Sequence, residues 1–130
     1  MSLLRSIVAV AIGLGFMAAT TAVWAIVSRG GVSPYANLGV AGVGAVIGGW
    51  LAARVAPRFP YAHAAALAAL VGVIALPSLT GPSQAPQPGW YPAALALVAV
   101  LGVLLGGKLR AAAASAERSA AAFRPGEQRE

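Results

Sequence analysis

The sequence predicts an all-α integral membrane protein with four transmembrane helices. Its 130 residues are 59% hydrophobic and only 9% charged, with a mean hydropathy of +0.80. Four long apolar runs are separated by short basic or proline-rich segments, and no Asp or Glu occurs between Met1 and Ala116. A soluble domain of this size carries about 25% charged residues, so this composition indicates a core formed by helix contacts within lipid.

The first two spans follow from uncharged runs of sufficient length. Span one is predicted at about residues 3–27, because Ile7 to Val27 is free of charge and long enough to cross a hydrocarbon core of about 30 Å. Its length favours a retained helix over a cleaved signal peptide. Span two is predicted at about 36–53, entered through Pro34 and closed by Arg54.

The last two spans are predicted to be shorter. Span three covers about 61–76, where Pro77 is expected to interrupt the helix, and span four covers about 92–107 and is closed by Lys108. At about 1.5 Å per residue each crosses only about 25 Å, which requires local bilayer thinning or extension at the ends. The predicted organisation is a four-helix domain over 1–110 and an Ala-rich cytoplasmic helical tail over 111–130.

Basic residues predict the orientation of the bundle. With both termini in the cytoplasm, Arg29 is the only basic residue outside, which is a strong positive-inside pattern. The eight basic residues then placed inside are Arg5, Arg54, Arg58, Lys108, Arg110, Arg118, Arg124 and Arg129. Four of them, Arg54, Arg58, Lys108 and Arg110, are candidates for contact with lipid headgroups or a partner subunit. The alternative is that their charge only determines the orientation of the helices in the membrane.

Two glycine motifs predict where the helices pack. Span two ends with Gly44, Gly48 and Gly49, and span four ends with Gly102, Gly106 and Gly107 in the same spacing, offset by 58 residues. Small residues let helix backbones approach closely in lipid, so span two is predicted as the central packing helix with span four against it. The offset also suggests a duplicated helical hairpin with a pseudo-twofold axis along the membrane normal, although chance matches in an Ala- and Gly-rich sequence are the alternative.

Composition excludes most chemistry in the membrane. The absence of cysteine removes disulfides and thiolate metal sites, and the absence of carboxylates removes most proton relays and hydrolytic pairs. We therefore predict no enzyme activity, no metal site and no cofactor. His63, the only histidine, is a weak candidate for an axial haem or pigment ligand, and an interfacial histidine is the simpler interpretation.

The other polar groups at membrane depth are Thr20, Thr21 and Asn37. Together with His63 they would line the pathway of a channel or carrier. The structural alternative is that each threonine bonds a carbonyl of its own helix and that Asn37 caps a helix start. The basic residues flank apolar runs and do not cluster with aromatics, so we predict no nucleic-acid binding.

The segment from Gly48 to Arg58, followed by His63, resembles small four-span bacterial membrane proteins of uncharacterised activity. Tyr91-Pro92 and the segment from Gly106 to Arg110 are similar to the same group, so the resemblance covers most of the chain. It implies a multi-pass protein of the bacterial inner membrane and no particular activity. The chain lacks the membrane glutamate of small multidrug carriers and shows no Gly-Asn motif of the fluoride-channel type.

These observations predict a non-catalytic integral subunit that packs against or stabilises a larger membrane complex, with respiratory and photosynthetic complexes as natural hosts. Its expected partners are membrane lipids and other transmembrane subunits. The alternative is a homo-oligomeric small channel or small-solute carrier. An enzyme acting on lipid is disfavoured, because no nucleophile and base can be paired.

Overall fold

The computed structural model describes residues 2–28, 33–56, 59–81 and 87–123 as four α-helices with their flanking residues. They are α1 (Ser2–Ser28), α2 (Pro34–Val55), α3 (Pro60–Thr80) and α4 (Tyr91–Ala122), and no strand occurs in these ranges. All four are long and apolar enough to cross a membrane. The predicted four-helix fold is confirmed, and the chain is a multi-pass membrane protein.

Proline and a serine cap fix the helix starts. The Ser33 side chain accepts a hydrogen bond from the Tyr35 backbone N–H at 3.3 Å, and Pro34 is the first residue of α2. Proline also lies in the first turn of α3, at Pro60, and of α4, at Pro92. Its missing N–H costs nothing there, because the first N–H groups of a helix have no partner within the helix.

The predicted end of span three at Leu76 is wrong. Helix α3 continues through Pro77 to Thr80, and the Gly81 backbone N–H donates to the Pro77 carbonyl at 2.9 Å. Its 21 residues span about 32 Å, so the helix is not short for the bilayer. Proline removes a single backbone hydrogen bond and strains the preceding turn. A transmembrane helix tolerates both, because neighbouring helices and small local adjustments satisfy the freed backbone group.

Helix α4 is much longer than its predicted span. Its 32 residues extend about 48 Å, well beyond a hydrocarbon core of about 30 Å. The Ala-rich segment that follows Gly107 is helical as far as Ala122 and is exposed along most of its length. The helix therefore projects beyond one end of the bundle. The remaining tail residues, 124–130, lie outside the described residues.

The helices alternate in direction, and α2 occupies the centre. It contacts all three other helices and packs most extensively on α4, while α1 packs mainly on α2 and α3 mainly on α4. Helices α1 and α3 touch more sparingly, and no α1–α4 contact occurs among the described residues. The starts of α1 and α3 meet through Ser6 and His63, so both lie at one end of the bundle. We call it the basic end, because Arg5 and Arg54 lie there.

The core is built from small side chains. The buried apolar set includes Ala45, Ala52 and Ala64, and the largest side chains that are fully buried are Leu67 and Val103. Because most core side chains are no larger than alanine, the helix backbones pack closely and contact energy comes from dispersion between them. Stability therefore depends strongly on the few positions where a larger side chain fills the centre.

Leu67→Ala should leave a cavity in this core. The side chain is completely buried and contacts the helix backbone near Gly13, so we expect a loss of about 2–3 kcal/mol in the free energy of unfolding. The measurement is reversible unfolding in mixed detergent micelles. The matched control is Leu97→Ala, at a side chain that is 63% exposed, which should change stability little. Equal losses in the two variants would contradict the assignment of Leu67 to the core.

Candidate functional site

Three of the predicted glycines lie in the contact between α2 and α4. A Cβ built on Gly49 meets the Val103 carbonyl, and one built on Gly106 meets the Val46 carbonyl in the reciprocal arrangement. A Cβ on Gly102 would lie 2.8 Å from the Ala45 Cβ. Real Cβ atoms do not approach other heavy atoms this closely, so only glycine allows the two helices their present separation.

Two further predicted glycines contact α1. A Cβ on Gly44 would lie 3.3 Å from the Thr20 methyl group, and one on Gly48 would lie 2.7 Å from Met17 and 2.9 Å from the Gly13 carbonyl. Gly13 is equally restricted, because its Cβ would lie 2.7 Å from the Gly48 carbonyl. Gly13 is not among the glycines predicted from the sequence to pack helices. It belongs to no repeated motif, and only the register between α1 and α2 reveals its role.

The sixth predicted glycine, Gly107, packs on α3, where its Cβ would meet Ala64. This contact shows how the two hairpins differ. In α2, Gly48 contacts α1 and Gly49 contacts α4; in α4, Gly106 contacts α2 and Gly107 contacts α3. Glycines that match in sequence therefore do not have matching neighbours.

The predicted pseudo-twofold axis does not describe this packing. Such an axis exchanges α1 with α3 and α2 with α4, so the observed α2–α3 contact would require an α1–α4 contact. None occurs among the described residues. Helices α1 and α3 instead contact each other on the same side of the α2–α4 pair. Duplication of the sequence remains a prediction, but the hairpins do not pack as equivalent units.

The predicted basic contacts are placed at or beyond the basic end. The Arg54 guanidinium lies 4.9 Å above the Trp50 ring, a cation–π contact. Lys108 is exposed, and Arg110 forms an ion pair with Glu117 at 3.2 Å within α4. Arg58 lies outside the described residues. The three described residues therefore lie on two different helices, and of these only Arg110 is paired with a carboxylate among the described residues.

His63 is engaged by the protein on both ring nitrogens. Its Nδ1 lies 3.2 Å from the Phe59 carbonyl oxygen, and its Nε2 lies 2.9 Å from the Ser6 hydroxyl. The carbonyl can only accept, so Nδ1 donates in the first contact, and Nε2 shares a hydrogen bond with the Ser6 hydroxyl. A haem or pigment would have to displace Ser6 to reach Nε2. The geometry gives His63 a role in joining α1 to α3.

The other polar side chains are also satisfied locally. Thr20 donates to the Phe16 carbonyl and Thr21 to the Met17 carbonyl, each at 2.9 Å, as the structural interpretation predicts. The predicted cap at Asn37 is wrong, because Ser33 caps α2. Asn37 instead accepts a hydrogen bond from the Trp24 indole N–H at 2.6 Å. This bond joins the end of α1 to the start of α2, between residues 13 positions apart in the sequence.

Breaking the bond between Trp24 and Asn37 should loosen the α1–α2 hairpin. Interhelical hydrogen bonds in membranes contribute about 0.6 kcal/mol on average and up to about 1.7. The short, half-buried geometry places this bond toward the upper value, so we expect a coupling of about 1 kcal/mol. A double-mutant cycle with Trp24→Phe and Asn37→Ala measures it. A coupling near zero would show that the two side chains act independently.

A row of small side chains runs along the outside of α1. Its members, spaced alternately by four and three positions and all exposed, are Ala11, Gly15, Ala18, Ala22 and Ala25. This spacing keeps them on one side of the helix, away from Gly13 and Met17, which contact α2. A Cβ built on Gly15 meets nothing within 4 Å. We call this row the α1 stripe.

In comparisons with known proteins, no protein-family model, curated protein or solved structure matches the chain.

Proposed function

We propose that the chain is a non-catalytic integral subunit that packs against other transmembrane subunits of a larger membrane complex, in a bacterial inner membrane with both termini in the cytoplasm. The α1 stripe carries this proposal. A glycine within a helix costs about 1 kcal/mol relative to alanine, and Gly15 has no neighbour among the described residues that requires it. Gly39 is equally open, but it belongs to no row of small side chains. A neighbouring helix supplied by another subunit would give Gly15 a packing role.

Helix α1 is also the least covered helix in the bundle. Only 11% of its most apolar stretch is buried, compared with 33% in α2 and 28% in α4. Bulky apolar side chains suit contact with lipid, whereas a row of small ones favours close approach of a second backbone. The outer side of α1 is therefore the surface best suited to a protein neighbour.

The polar side chains give little support to the alternative, a channel or carrier. The described residues include no fully buried polar side chain. Thr20 and Thr21 bond their own helix, while Asn37 and His63 lie at opposite ends of the bundle and are each bonded to α1. No polar path connects these side chains among the described residues, so a pathway would have to form between several copies of the chain.

The test is extraction from the native membrane in mild detergent, followed by native mass determination. The proposal predicts a heteromeric complex in which this chain accompanies other transmembrane polypeptides in a fixed ratio. A pure dimer or tetramer of this chain that supports solute flux in liposomes would overturn it and favour the channel or carrier.

A further inference from the structure

An open apolar groove lies between α1 and α3 and adjoins the α1 stripe, with which it shares Ala11. It has a volume of about 500 Å³ and is lined by residues 6–14 of α1 and 62–70 of α3. Its walls are side chains such as Val10, Leu14 and Leu70, and its polar groups, Ser6 and His63, lie together at one end. The groove exists because α1 and α3 contact each other sparingly while both pack on the α2–α4 pair.

The dimensions of the groove favour a lipid chain over a protein helix. Eight helical steps along either wall cover about 12 Å, so the groove lies within one leaflet of a core about 30 Å thick. A transmembrane helix crosses the whole core of about 30 Å, so a helix packed in this groove would be in contact with it over less than half of its length. A hydrocarbon chain is thinner and ends naturally at the midplane.

The charge at the end of the groove favours an anionic headgroup. Ser6 and His63 mark the basic end, which carries Arg5 and Arg54, with Lys108 on the adjoining part of α4. In the part of the chain that the structure describes, Glu117 is the one acidic residue, and it pairs with Arg110. Among the described residues, therefore, no carboxylate compensates the charge of Arg5, Arg54 and Lys108, and lipid phosphates can supply the compensation.

From these observations we infer that the groove holds one acyl chain of an anionic phospholipid from the leaflet at the basic end, with its headgroup near Ser6 and His63. The bound lipid fills the gap between α1 and α3 and joins two helices that have little direct contact. This site does not rest on the subunit assignment, because it shares only Ala11 with the α1 stripe and requires no second polypeptide.

Native mass spectrometry of the full chain with phosphatidylglycerol or phosphatidylcholine tests the site. We expect one tightly retained phosphatidylglycerol in the unmodified protein. Ala66→Phe fills the groove and should lower its occupancy at least tenfold. The matched control Ala69→Phe changes an exposed alanine on the same helix outside the groove and should retain the lipid. Equal occupancy in the two variants would overturn the site.

The headgroup preference has its own test. Arg5→Gln should reduce the preference for phosphatidylglycerol over phosphatidylcholine about fivefold, since each basic residue near a membrane surface favours anionic lipid by roughly that factor. Equal retention of the two lipids by the unmodified protein would overturn the anionic assignment.

A measurement on the unmodified chain removes any dependence on folding of the variants. Phosphatidylglycerol with a photoreactive acyl chain should form adducts concentrated in residues 6–14 and 62–70. Adducts spread evenly over the outer surfaces of all four helices would show that the groove holds no specific lipid.

Discussion

Gly106→Ala should destabilise the bundle by about 2 kcal/mol. The added methyl group would meet backbone atoms of Val46 and Trp50, which cannot rotate away as a side chain can. Overpacking typically costs about 1–3 kcal/mol, and contact with rigid backbone places the cost at this site at or above the upper end of that range. Alanine recovers about 1 kcal/mol through its higher helix propensity, which leaves a net loss of about 2 kcal/mol. Gly49→Ala should cause a similar loss, because its methyl group would meet backbone atoms of Val103. Reversible unfolding in mixed micelles measures both.

The two substitutions should not be additive. Because Gly49 and Gly106 lie in one interface, separating α2 from α4 to admit one methyl group also makes room for the other, so the double variant should lose less than the sum. Gly39→Ala is the matched control, since a Cβ at that position meets nothing within 4 Å. If Gly106→Ala were as stable as Gly39→Ala, the close α2–α4 contact would be refuted.

Gly15→Leu should remove the chain from its complex while leaving its own fold intact. The leucine would extend from the α1 stripe into space that is open within the chain, so helix content and thermal stability should be unchanged. A partner helix packed on the stripe could no longer approach, and we expect at least a tenfold loss of co-purifying subunits. Native mass determination after mild extraction reads out the composition.

Gly39→Leu provides the comparison. It makes the same change at another exposed glycine with open space, on α2 and away from the stripe. Assembly should remain at the level of the unmodified protein. Loss of the complex in both variants would indicate that added bulk anywhere in the bundle disrupts it, and would remove the case for α1 as the interface.

Periodic and compositional signals predicted the elements of the fold well. Four uncharged runs, each ended by a basic residue or proline, were sufficient to predict four helices in the observed order. Local rules failed at Pro77, because the rule that proline ends a helix was formed on soluble chains. In lipid an unpaired backbone group has no water to bond, which favours continuing the helix as far as Thr80.

The register between neighbouring helices could not be predicted from the sequence. The contact of Gly13 with α2 and the bond of Asn37 to Trp24 are determined by the position of α1 along the axis of α2. No local sequence pattern encodes that position. The offset of 58 residues aligns the glycine motifs of α2 and α4 in the sequence. It did not predict which neighbour each glycine contacts, since one residue turns a helix by about 100° and places adjacent glycines toward different helices.

The most direct test of the subunit proposal is photocrosslinking in the native membrane from a diazirine amino acid at Ala18, in the α1 stripe, compared with the same probe at Leu97, on the outer surface of α4. The account predicts that the probe at position 18 forms an adduct with a different transmembrane polypeptide, whereas the probe at position 97 labels lipid. Lipid adducts alone at both positions, or crosslinks at position 18 only to a second copy of this chain, would contradict it.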